Sequence, residues 1–206
     1  MSKTYFRTLN ADEIECRVGI CRADGVSLLL YKDARCDMNI LDETVGPMNW
    51  QRSHSRDNAN CTVSIYNNEL GVWVSKEDTG TESNTEASKG LASDSFKRAC
   101  VNWGIGRELY TAPFIWVPAK KCNIVKNQRT QKDGCKDKFT VAKIEYEAGC
   151  IKAIAIRNEN THSICFSWVA PGYVPVSKRK PAAPVEEPVI DETMPWISPD
   201  VEEGSF

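Results

Sequence analysis

Apolar and polar residues alternate from the start of the chain. Cys16, Val18 and Ile20 alternate with Arg17 and Gly19 over Glu15–Cys21, Ala23-Asp24-Gly25 makes a turn, and Val26–Tyr31 returns. This pattern predicts a β-hairpin. Over 34–45 the period changes. Met38, Leu41 and Val45 fall on one face, Asp33 precedes as a cap and Gly46 follows, which predicts a short helix. A second strand system follows Trp50: Cys61, Val63 and Ile65 alternate with Thr62, Ser64 and Tyr66, Asn67-Asn68-Glu69 turns the chain, and Leu70–Lys76 returns it. The clearest helical stripe comes next, with Ala92, Phe96, Ala99, Cys100 and Trp103 spaced i, i+4, i+7, i+8, i+11.

Phe114–Pro118 reads as a strand, and residues 119–138, polar and rich in Lys and Asn, read as a long loop. Phe139–Tyr146, Cys150–Arg157 and Ser163–Trp168 read as three further strands. The order β-rich, helix, β-rich predicts an α+β fold, an antiparallel β-sheet with a central amphipathic helix packed on it. Two regions are expected: a folded domain over 1–174, and a proline-rich acidic tail over 175–206 too poor in apolar residues to order itself.

Composition changes this picture in two ways. Residues 181–206 hold seven acids and no Lys or Arg, so residues 1–180 hold all 26 basic residues against 21 acidic ones, a net of +5. A mildly basic body is thus hidden under an overall charge of −2 and is compatible with a polyanionic partner. The nine cysteines are scattered and odd in number, and the N-terminal stretch has no apolar h-region. Free thiols, no signal peptide, no membrane span and a cytoplasmic location (bacterial, or that of a phage-infected host) are therefore expected.

The candidate chemistry sits on the central helix. Lys97 and Arg98 lie outside the apolar arc, so burying the stripe leaves both cations accessible. Small residues around them, such as Gly90, Ala92, Ser93 and Ser95, permit close approach of a phosphate. Asp94 stands three and four residues before them, so a plain helix-surface pairing competes with this reading. Asn102-Trp103-Gly104-Ile105-Gly106-Arg107 then breaks the helix at a defined place and releases Arg107.

Gly46-Pro47-Met48-Asn49-Trp50, the hairpin after it, the turn at Asp78–Gly80 and the Lys-Gly…Phe-Lys-Arg-Ala…Gly helix agree in order and spacing with a known pattern. Over about residues 30–110 the chain resembles the Rad52-like single-strand annealing proteins, and most closely their short phage and bacterial members. The resemblance implies a β-β-β-α core, ring-like homo-oligomers and single-stranded DNA held in a positively charged groove. By position it places Lys97 and Arg98 in that groove, adds Lys89 upstream, and puts Arg35 within one residue of a groove arginine. Arg52, Arg56 and Arg107 complete the expected DNA-binding set.

Annealing of complementary strands in recombination and repair needs no covalent chemistry. No G-x-x-x-x-G-K-[ST] loop is present, so no ATP, other cofactor or catalytic residue is expected. A metal-dependent nuclease and a protein-interaction module are the alternatives. For the first, His54 and His162 sit in no metal pattern, and Cys122 and Cys135 lack flanking partners. The aromatics Tyr31, Trp50, Tyr66, Trp73 and Tyr110 stack on bases or pack in the fold, with packing favoured. The tail residues Trp196 and Phe206, set among acids, resemble the acidic tips of bacterial single-strand binding proteins and are a candidate contact for a repair or replication partner.

Overall fold

A computed structural model describes residues 5–81, 87–126 and 128–179, with only the backbone of 87–89. The first hairpin pairs β1 (Ile14–Arg22) with β2 (Gly25–Lys32). Its register shifts between Val18 and Cys21, and this bulge turns Ile20 outward to 50% exposure, where simple alternation predicted an inward side chain. The Ile20 N–H displaced by the bulge donates to Ser27 Oγ at 2.9 Å.

Helix α1 (Ala34–Val45) forms over the predicted range. Asp33 Oδ1 accepts from the Arg35 N–H at its start, and Gly46 ends it at φ +84°. Its buried face is Cys36, Asp37, Ile40 and Leu41 rather than Met38, Leu41 and Val45. Met38 and Val45 are only half-buried at the edge of the core.

A three-stranded antiparallel sheet follows, β3 (Trp50–Ser55), β4 (Asn60–Asn67) and β5 (Val72–Thr79), in the order β3-β4-β5. The β3–β4 turn puts Arg56, Asp57 and Asn58 at positive φ. Helix α2 (Ala87–Trp103) lies against β4 and β5. Phe96, Ala99 and Cys100 are fully buried, and Trp103 Nε1 donates to Val63 O at 3.0 Å. Gly80 is required at the crossing of β5 and α2, because a Cβ there would stand 2.6 Å from Ser95 N.

The chain then makes a 3-10 turn over Arg107–Thr111 and enters β6 (Ile115–Pro118). Residues 119–138 are not a featureless loop: they contain a small hairpin of β7 (Ile124–Lys126) and β8 (Asp133–Cys135) beside β1. Ile124, Cys122 and Cys135 pack against the core, and this apolar minority inside a polar stretch supplies the hairpin's anchor. Strands β9 (Phe139–Glu147), β10 (Cys150–Asn158) and β11 (Ser163–Val169) fall where predicted.

Six strands make one antiparallel sheet in the order β11-β10-β9-β1-β2-β6, so the architecture is α+β, mostly antiparallel, with two α-helices among the described residues. Residues 176–178, expected to belong to the disordered tail, form a 3-10 turn. It is pinned by Glu145 Oε2, which accepts from the Val176 N–H at 2.9 Å and the Tyr173 hydroxyl at 3.1 Å. Residues 180–206, with Trp196 and Phe206, lie outside the described residues. No described helix is long and apolar enough to cross a membrane.

Candidate nucleic-acid interface

A groove of about 840 Å³ runs between α2 and the β2 side of the six-stranded sheet. One wall is α2, presenting Lys97, Arg98 and Val101; the other is β2, with Leu29 and Tyr31, continued by Tyr110 and Phe114 from the segment leading into β6. The walls meet there because the Gly104–Gly106 break turns the chain off α2 and back toward β2. Gly106 sits at φ +72°, and a Cβ on it would stand 2.4 Å from Lys32 Cε. Glycine is needed at this position for both reasons.

The floor of the groove carries a buried ion pair. Lys32, 5% exposed, donates to Asp37 Oδ1 on fully buried α1 surface and approaches Lys97 O at 3.5 Å. Asp37 Oδ2 has no hydrogen-bond partner among the described residues. Burial pushes the Asp37 carboxyl up to about 6, against the pull of the adjacent Lys32 ammonium. Neither residue stood out in the sequence. A lysine at the polar end of a strand and an aspartate in the first turn of a helix look like surface positions, and only the packing of β2, α1 and α2 buries them together.

The α2 wall carries the open charges. Arg98 Nε stands 3.5 Å from Asp78 Oδ1, with the Arg98 side chain 44% exposed, so its partner is a β5 carboxylate and not Asp94. Asp94 instead accepts from the Thr81 N–H and hydroxyl, at 2.9 and 3.3 Å. The Lys97 charge acts on both Asp33 and Asp37. Asp33 is also bound by the Arg35 guanidinium, chiefly for which its carboxyl is held below the usual range. Arg35 therefore adjoins the Lys97 end of the groove without lining it.

The other predicted cations are spread apart. Arg52 lies on the α2-facing side of β3, exposed itself but with its guanidinium 4.6 Å from the ring centre of the buried Phe96. Arg56 is exposed in the β3–β4 turn. Arg107, expected to be released, closes the end of α2 by donating to Val101 O and Asn102 O. The Lys89 side chain lies outside the described residues. The aromatics divide as well. Trp50 stacks near Phe96 and Tyr66 meets Trp73 edge-on, but Tyr31 and Tyr110 stand in the groove, 38% and 72% exposed.

All nine cysteines are free, and burial pushes the Cys16 thiol up to about 12 and Cys61 to about 11, away from the thiolate form a nucleophile needs. Among the described residues no group of three or more His, Cys, Asp or Glu side chains is placed to hold a metal ion.

Residues 54–129 match the family model described as the Rad52/22 family double-strand break repair protein. That segment runs from β3 to the β7 hairpin and contains the whole cationic wall of the groove, while Tyr31 and Lys32 precede it. No curated protein and no solved structure gives a significant match to the chain.

Proposed function

From a chain that carries the Rad52/22 family segment over residues 54–129, we propose a protein that binds single-stranded DNA and anneals complementary strands without ATP, as a homo-oligomer serving recombination and repair in the cytosol. The observation that carries this reading is the placement of Lys97 and Arg98, side by side on α2, along a groove of about 840 Å³ and inside the matched segment.

The mechanism is electrostatic. Lys97 and Arg98 neutralise successive phosphates and release counterions, with Arg35 extending the basic edge beyond Asp33. Two strands so neutralised repel each other less, and base pairing drives the product. The buried Lys32–Asp37 pair ties β2 to α1 beneath the groove, and Lys32 Nζ reaches the α2 backbone at Lys97 O. Lys89 adds a further phosphate contact, and Arg52 and Arg56 lie along the β3 side as the path of a longer strand. The exposed edge strand β5, with Val72, Trp73 and Val74 more than a third exposed, is the surface that a neighbouring subunit covers. Trp196 and Phe206 in the acidic tail serve a repair or replication partner.

The test is incubation of complementary oligonucleotides with protein, in EDTA and without nucleotide. Accelerated, salt-sensitive annealing is the expected result. Metal-dependent strand cleavage, or no effect on the annealing rate, would replace this reading with a nuclease or with a protein-interaction module.

A further inference from the structure

The groove has a second wall that phosphate binding leaves without a use. Tyr110 and Phe114 are 72% and 76% exposed, and beside them Leu29 is 47% and Tyr31 38% exposed. Side chains this open gain little from burial in the fold. A scattered surface hydrophobe needs no reason, but a contiguous apolar strip inside a concave groove marks a contact surface. The strip is held in place: Phe114 stacks on Trp116, with ring centres 6.3 Å apart and planes at 16°, and the Arg17 guanidinium lies 4.9 Å from the Tyr31 ring centre. Lys97 and Arg98 line the same groove from α2.

We propose that Tyr110 and Phe114, flanked by Tyr31, form a base-stacking wall, so that the groove takes a nucleic-acid strand by its phosphates on α2 and by its bases on this side. The inference rests on the single-strand reading above and adds to it the source of strand selectivity. A cationic wall alone attracts single and double strands alike. A ring face is offered only to a base that is not already stacked and paired. The aromatic wall therefore holds separated strands and lets go of the duplex, and the protein is freed from its own product without nucleotide hydrolysis.

The test compares oligothymidylate with an abasic phosphodiester chain of equal length, measured by fluorescence anisotropy. Wild-type protein is expected to bind oligothymidylate about tenfold or more tightly than the abasic chain, a difference of about 1.4 kcal/mol. Tyr110→Ala with Phe114→Ala should remove most of that difference and leave abasic binding within about twofold. Tyr110→Phe with Phe114→Tyr, which keeps both rings, should retain it. Wild-type protein that binds neither chain defeats the DNA reading itself. Wild-type protein that binds both equally defeats only the wall. Ala variants that bind both chains like wild type, or that change particle size in light scattering, also overturn the wall, the latter by showing that the strip is a contact between copies of this chain.

Discussion

Lys32 and Lys97 meet across one groove, the Lys32 ammonium 3.5 Å from the Lys97 carbonyl, yet their surroundings differ completely. Lys32 is enclosed by β2, α1 and Gly106 and is paired with a fully buried Asp37. Lys97 is only partly covered, and among the described residues its ammonium makes no hydrogen bond. The same side-chain chemistry thus supplies a buried internal pair at one position and, at the next, an open cation that we propose as a phosphate contact. Burial and the nearest carboxylate decide which. A buried cation cannot exchange its partner for a phosphate without leaving that carboxylate uncompensated, whereas a rim cation can.

The largest expected effect lies on the buried side. Lys32→Met leaves Asp37 buried without its counter-charge and should cost about 3–5 kcal/mol in chemical denaturation. Adding Asp37→Leu should recover much of that loss. A single variant as stable as wild type would show that the pair does not support the fold.

On the open side, Lys97→Ala with Arg98→Ala should leave the melting temperature nearly unchanged. Single-strand binding should weaken by roughly 1.5–3 kcal/mol, and the dependence of log affinity on log salt should flatten by about 1.4, two phosphate contacts at ~0.7 each. If stability falls while affinity holds, the two positions have exchanged roles and the comparison fails.

Gly80→Ala probes the joint that carries the open wall. The added methyl would meet Ser95 backbone at 2.6 Å, so a loss of about 1–3 kcal/mol is expected in thermal melting.

The pH dependence separates the two sites further. The Asp37 carboxyl is raised in the folded chain above its unfolded value of 3.8, to about 6. The folded state therefore holds its proton more tightly. This contribution to stability is fully present below about pH 4 and is lost as pH rises toward and through 6. Asp37→Asn should abolish that slope, measured by denaturation across the range, while Lys97→Ala should leave most of it.

The smallest effect concerns Asp78. Its exposed pairing with Arg98 is weak, so Asp78→Asn should change stability by less than about 1 kcal/mol. Single-strand affinity should rise a few-fold as Arg98 is freed for phosphate. A fall in affinity would mean that Asp78 orients Arg98 for its contact.

Local sequence patterns foretold most of the elements because their causes are local. The period-2 run at Cys61–Ile65, the stripe from Ala92 to Trp103 and the Asp33 and Gly46 boundaries each act within a few residues. Failures came where a distant contact overrode the pattern. The β1 bulge turned Ile20 out, and Cys122, Ile124 and Cys135 found core to pack on and made a hairpin of an expected loop. Lys97 and Arg98 could be singled out because lying off an apolar stripe is a property of the helix alone.

By itself, then, the sequence determined an α+β chain with a basic body, an acidic tail and a cation-bearing central helix, all of which follow from periodicity and composition. Only the tertiary structure decided what that helix faces. Bringing β2 and the segment after Gly106 opposite α2 buried Lys32 with Asp37 and left Tyr110 and Phe114 open in the groove that Lys97 and Arg98 line. No spacing along the chain encodes that outcome, because exposure and pairing depend on which surfaces the fold brings together.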